Sequence, residues 1–142
     1  MKKILVCSMI SLTVSLVASS QKLNASKVPA AVKEGFTRQF PGVAAKWEKE
    51  DGDYEAGFKQ DGHEMSAVFT ANGTLKETET VIAVAELPAT VKSYMNTHYK
   101  DASIKEAAKI TSPGGKTEYE AAIKGKDIIF DATGKFLREA TD

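Results

Sequence analysis

The residues that could do chemistry are few and do not converge. His63 and His98 are the only histidines. His63 follows an Asp61-Gly62 turn signal and His98 lies in a helical segment, with no paired-His spacing. A zinc site needs about four N, S or O ligands aimed at one point. Asp51-Gly52-Asp53 lacks the alternating carboxylates and the closing Glu of a calcium loop and reads better as a hairpin turn. Gly114-Gly115 lacks the Lys-Ser/Thr of a phosphate loop. No Gly-flanked serine marks a strained nucleophile elbow. The sequence therefore predicts no catalytic residue, no metal site and no cofactor. Asn24-Ala25-Ser26 and Asn72-Gly73-Thr74 match the glycosylation pattern, which matters only in a eukaryotic secretory pathway.

The start of the chain is a different kind of signal. Lys2 and Lys3 precede an apolar run from Ile4 to Val17, and Ala18-Ser19-Ser20 supplies small residues before Gln21. That order predicts a secretory signal over residues 1–20 and a periplasmic or secreted product. A membrane span would need about 20 apolar residues. Cys7, the only cysteine, sits early in the run, where a lipidated cysteine would not. Its removal leaves no thiol and no disulfide. The remainder has 17 basic against 19 acidic residues, a net charge of −2. That field is too weak to point to nucleic acid or anionic lipid.

The rest of the chain repeats itself. Val28-Pro29-Ala30-Ala31-Val32-Lys33 recurs as Leu87-Pro88-Ala89-Thr90-Val91-Lys92, at a shift of 59. Tyr54-Glu55-Ala56 recurs as Tyr119-Glu120-Ala121 at a shift of 65, and Phe69-x-Ala71-x-Gly73 as Phe130-x-Ala132-x-Gly134 at a shift of 61. Loops of unequal length account for the drift. The boundaries predicted are a linker over 21–27, a first unit over 28–86 and a second over 87–142.

Each unit opens with a helix. Pro29 and Pro88 suit a first helical turn. Val32, Phe36 and Phe40, and then Val91, Met95 and Tyr99, recur every four residues as an apolar stripe. Pro41-Gly42 stops the first helix. Beyond each helix the period becomes two. Two-residue turns at Asp51-Gly52 and Asp61-Gly62 put Val43, Ala45, Trp47, Tyr54, Ala56, Phe58, Met65, Ala67 and Phe69 on one face. A three-residue loop with Gly73 left-handed places Leu75 beside Phe69, and the same device at Gly134 places Phe136 beside Phe130. The next turn can be Lys124-Gly125 or Gly125-Lys126. The register around Ser112–Lys116 is open. Residues 80–86 link the units and can continue as strand.

The aromatic set belongs to the core by period and register. The opposite face carries Glu55, Lys59, Ser66 and Val68 in the first unit and Ala122 and Ile129 in the second. Val68 and Ile129 occupy equivalent places, one residue before the repeated Phe. An exposed β-branched residue on a strand can reflect propensity alone. As the apolar centre of a polar-rimmed face, the pair predicts a protein-binding surface.

The helix ending in Phe40-Pro41-Gly42, then Trp47-Glu48, Tyr54-Glu55-Ala56, Phe69 and Asn72-Gly73, resembles the PepSY-like family of exported bacterial proteins, also described as β-lactamase-inhibitor-like. The resemblance spans residues 28–142 as two units. The second has Lys100-Asp101 in place of Pro41-Gly42 and no Trp. The resemblance implies tandem helix-plus-sheet units and proteins that bind or inhibit other exported proteins, such as peptidases or β-lactamases. It carries no catalytic residues.

Together these readings predict an α+β protein. Its helices lie on one face of a shared antiparallel sheet of about eight strands, over a common core. The expected role is a non-catalytic binding or inhibitory module whose partner is another exported protein, such as a peptidase or hydrolase. It has no nucleic-acid partner, and no membrane span once the signal is removed. The alternative is a periplasmic small-ligand carrier with a pocket beside Trp47 and Phe58.

Overall fold

A computed structural model describes residues 21–141. The expected signal segment and Cys7 lie outside the described residues. Among the described residues, one antiparallel sheet of nine strands is laid down in chain order, each strand beside its predecessor. The strands are β1 (Gln21–Leu23), β2 (Lys46–Glu50), β3 (Asp53–Gln60), β4 (His63–Phe69), β5 (Leu75–Ile82), β6 (Glu106–Thr111), β7 (Thr117–Ile123), β8 (Lys126–Asp131) and β9 (Phe136–Thr141). Helix α1 (Ala30–Gln39) precedes β2, and α2 (Ala89–His98) precedes β6. The strand beyond the expected eight is β1, in the segment read as linker. Its ladder onto β2, with Leu23 opposite Trp47, forms an edge that three mostly polar residues do not announce.

Both helices begin at a proline whose carbonyl takes the first helical hydrogen bonds. Pro29 O accepts from Lys33 N at 3.1 Å, and Pro88 O accepts from Lys92 N at 3.1 Å. The prolines sit one place earlier than expected, at the cap rather than in the first turn. A short 3-10 turn leads into each, Ala25–Lys27 and Val84–Glu86. Asn24 Oδ1 accepts from Ser26 N at 2.9 Å, and Asn72 Oδ1 accepts from Thr74 N at 3.1 Å. Both glycosylation-like triplets are thus local turn chemistry.

The turns set the register as the sequence requires. Asp51 and Gly52 have φ of 47° and 88°, and Asp61 and Gly62 have φ of 52° and 83°. Positive φ at both positions is the hairpin turn whose twist matches the flanking strands. Tyr54, Ala56 and Phe58 therefore pair with Phe69, Ala67 and Met65. Gly73 and Gly134 bring Leu75 opposite Phe69 and Phe136 opposite Phe130. Ile123 pairs with Lys126, so Lys124-Gly125 is the turn between β7 and β8. Thr111 opposite Thr117 fixes the register that the Ser112–Lys116 loop left open.

The apolar face packs as two clusters, not the common core expected. Val28, Val32 and Phe36 lie on Trp47, Tyr54, Phe58 and Phe69. Leu87, Val91 and Met95 lie on Ala107, Ala121, Ile128 and Phe130. Strand alternation carries this same face across the middle of the sheet as Thr78 opposite Thr111 and Thr80 opposite Lys109. These polar pairs separate the clusters.

Candidate binding face

Alternation that sends Tyr54, Ala56 and Phe58 toward α1 sends Glu55, Gly57 and Lys59 the other way. Register then builds rows across the helix-free face. One row runs Glu48, Glu55, Val68, Glu77 from β2 to β5. A second runs Gly57, Ser66, Glu79, Ile110, Glu118 from β3 to β7. A third runs Val81, Ala108, Glu120, Ile129, Arg138 from β5 to β9. Glu106, Ala122 and Asp127 form a fourth on β6 to β8. All six residues expected on this face lie on it: Glu55, Lys59, Ser66, Val68, Ala122 and Ile129.

They are not equally available. Glu55, Ser66 and Val68 are half-buried and Lys59 is exposed, whereas Ala122 is 9% and Ile129 only 3% exposed. Val68 and Ile129 are equivalent in register but not in exposure, which corrects the expectation of two exposed residues. Ile129 sits in a part of this face on β6–β8 where Ala108, Ile110 and Glu120 are also buried, with Arg138 beside it. Arg138 on β9 faces Ile129 on β8, and its guanidinium reaches past β8 to Glu118 on β7. Arg138 Nη2 lies 3.1 Å from Glu118 Oε2, and Lys116 Nζ lies 2.7 Å from Glu118 Oε1. This bridge passes over the strand that carries Ile129. Val68 on β4 has Glu55 and Glu77 on its two sides. Two carboxylates cannot bridge, so Val68 stays reachable.

The acids of the two regions titrate in opposite directions. Burial works against the charge of Glu118, but its bonds to Arg138 and Lys116 outweigh burial and hold the carboxyl below the ordinary range. Around Val68 burial wins. It pushes Glu55 up to about 7, with the Ser66 hydrogen bond opposing and Glu48 and Glu50 adding to the rise. Burial, then Glu120, Glu55, Glu106 and Glu77, hold Glu79 well above the carboxylate range. Glu79 is 7% exposed and, among the described residues, its side chain makes no hydrogen bond or ion pair.

Glu77, Glu79 and Arg138 were not singled out by sequence reasoning. The signal was present: at the repeat shift of 61, Glu77 corresponds to Arg138, a reversal of charge. His63 and His98 stay apart, one reaching the Val81 carbonyl at 3.3 Å and the other stacked on Tyr94. Among the described residues no cluster of His, Cys, Asp or Glu is arranged to hold a metal ion. No helix among them is long and apolar enough to cross a membrane.

The chain is thus a mixed helix and antiparallel-sheet protein with one polar, helix-free face. The family model described as "Putative beta-lactamase-inhibitor-like, PepSY-like" matches residues 16–77 and again residues 52–138. The chain belongs to this PepSY-like family. Among solved structures it is similar to a protein of Bacteroides eggerthii, one of the "putative periplasmic proteins", with a TM-score of 0.71 and 19% identity over 80% of this chain and 88% of that one. It is also similar to a "BLIP-like protein" of Bacteroides fragilis, with a TM-score of 0.64 and 26% identity over 80% of this chain and 86% of that one. No curated protein matches it.

Proposed function

We propose that the chain is a non-catalytic binding module, exported to the periplasm or beyond, which contacts another exported protein through its helix-free sheet face. The observation that carries this reading is Val68, an accessible apolar residue framed by Glu55, Glu77 and Ser66. An apolar centre within a polar rim is the anatomy of a protein interface. The PepSY-like membership and the BLIP-like and periplasmic relatives support the same reading. In it, Val68, Ser66, Glu55 and Lys59 touch the partner, while Ile129 and Ala122, on the same face but buried, do not. The repeated motifs support two tandem units, of which the first offers the contact.

A carrier of small ligands would need a cavity beside Trp47 and Phe58. Phe36 stands there, with ring centroids 5.4 Å from Trp47 and 5.2 Å from Phe58, and Phe40 lies 4.6 Å from Phe58. Rings at these separations are in packing contact, which favours the binding-module reading.

The test is capture of the partner from the protein's own cell envelope with Val68→Glu beside wild type. Ile129→Glu is unsuitable, because it would bury a carboxylate at a 3% exposed site. Val68→Glu should weaken capture by about tenfold or more, the scale of losing a central interface residue. Glu34→Gln, on the exposed side of α1, should leave it intact. Equal capture by Val68→Glu and wild type would remove the face from the interface. Inhibition, as distinct from binding, would show as loss of the captured partner's own activity.

A further inference from the structure

We infer that the part of the helix-free face on β3–β5 docks a cationic side chain, arginine above all, presented by the protein partner over Val68 and between Glu55, Glu77 and Glu79. This deepens the reading above and rests on it.

The protein itself displays the arrangement in completed form. On β7–β9 the sequence of side chains across the strands is Glu120, Ile129, Arg138. Arg138 stands opposite the isoleucine and bonds the buried Glu118, two residues from Glu120 on the same face of β7. On β3–β5 the corresponding sequence is Glu55, Val68, Glu77. The apolar residue is conserved in type between the two places, the first acid is kept, and the cation is replaced by an acid. The region lacks the positive charge that its counterpart supplies internally.

Glu79 gives a second and independent indication. It lies two residues from Glu77 on the same face, opposite Ser66, and is buried without a bonding partner among the described residues. A buried carboxyl with no partner costs free energy in the isolated protein. The acids nearest in effect are Glu120, Glu55, Glu106 and Glu77, all of the same sign. Of the cations on or beside this face, Lys76 bonds Asp53, Arg138 and Lys116 bond Glu118, and Lys46 and Lys59 are exposed and make no ion pair with Glu79. A metal ion is disfavoured as occupant, since no carboxylate cluster among the described residues has ligand geometry. An arginine fits better. Its planar fork serves two carboxylates at once, and its stem can lie along Val68.

The test uses the full chain, expressed with its N-terminus intact so that the host processes it. It is titrated with a hexa-arginine peptide and, separately, with a neutral leucine-glycine peptide of equal length. Amide shifts and affinity are read together. Hexa-arginine should perturb Glu55, Val68 and Glu79. Binding should tighten from about pH 6 to about pH 8, because a cation favours the ionised carboxyls and releases their protons. Glu77→Arg, which places the missing cation within the chain as at Arg138, should weaken the peptide by about tenfold or more and should not lower Tm. Glu79→Gln should weaken it and flatten the pH dependence, while Glu34→Gln should do neither. Unchanged binding by both Glu77→Arg and Glu79→Gln would overturn the inference, as would shifts spread evenly over the acidic surface. If the neutral peptide alone perturbs this region, the cationic chemistry fails while the face reading stands. If neither peptide perturbs it and Val68→Glu still captures the partner, both fail.

Discussion

At the scale of single residues, the helix-free face divides according to whether a carboxylate has a cation within reach. Glu118 has two, and its charge is held in place. Glu79 has none among the described residues, and burial with four neighbouring acids makes its ionisation costly. The consequence for stability has a definite sign. A carboxyl whose folded pKa lies above its unfolded value binds more protons in the folded state. Stability then falls as pH rises from the unfolded value through the folded one. Glu79 and Glu55, the latter at about 7, should therefore lower Tm progressively from about pH 5 toward pH 8. Glu118 acts on the other side, contributing stability above its unfolded value that is lost as pH falls. Glu79→Gln should raise Tm near pH 8, change it little near pH 5, and so reduce the slope. Thermal melts across that range decide the matter, and an unchanged slope would mean that Glu79 ionises freely. Period two alone places Glu55 and Glu118 on this face, whereas Glu79, in the segment read as the end of the first unit, receives no face assignment from the sequence. Sequence reasoning could not weigh them, because burial and the reach of Arg138 across a strand depend on the assembled sheet.

At the scale of elements, the turns were legible and the approach of helix to turn was not. Asp-Gly and Asn-Gly pairs carry their geometry locally, so the β2–β3, β3–β4 and β4–β5 registers follow from residue types. The linker strand β1 escaped notice because its pairing is supplied by β2 rather than by its own composition. The role of Gly35 also escaped notice. Mid-helix glycine costs about 1 kcal/mol against alanine, which invites a stabilising substitution. In the folded protein Gly35 faces the carbonyl of Gly73 in the β4–β5 turn, and a Cβ there would overlap that oxygen. The same docking recurs at α2, where Gly134 lies against Thr90 and the Thr90 hydroxyl donates to Thr133 O at 2.9 Å. Overpacking of this kind costs about 1–3 kcal/mol. The obstacle is backbone, which no rotamer change relieves, so the upper part of that range should exceed the helical gain. Gly35→Ala should therefore lower the denaturant midpoint. A rise in midpoint would show that α1 can move away from the turn at little cost.

At the scale of the whole molecule, two apolar clusters hang on one continuous sheet, and this bears on how the protein opens. The sequence repeat anticipated equivalent halves and a common core; equivalence of register followed from the motifs, but the separation of cores did not. It arises because β5 and β6, which join the halves, present Thr78, Thr80, Lys109 and Thr111 to the helix side. Their repeat counterparts, Lys49 on β2 and Glu139 and Thr141 on β9, lie toward the outer strands of the sheet, so the motifs do not mark these residues as a divide between cores. Between the clusters the connection is the β5–β6 ladder, from Thr78 opposite Thr111 to Ile82 opposite Ala107. Hydrogen bonds along one ladder contribute about 1 kcal/mol each in net terms, whereas each cluster rests on several large side chains. A defect in one cluster should then be felt unequally. Phe36 contacts Trp47, Phe58 and Phe69 in the first cluster and nothing in the second. Phe36→Ala should cost about 3–5 kcal/mol locally. Native-state hydrogen exchange should show α1 and β2–β4 losing protection by that amount while β7 and β8 keep more of theirs, as separately opening units do. Equal loss at every slowly exchanging amide would instead mean that the β5–β6 ladder couples the halves into a single cooperative unit. In that case substitutions beneath α2 should weaken the Val68 face as strongly as those beneath α1.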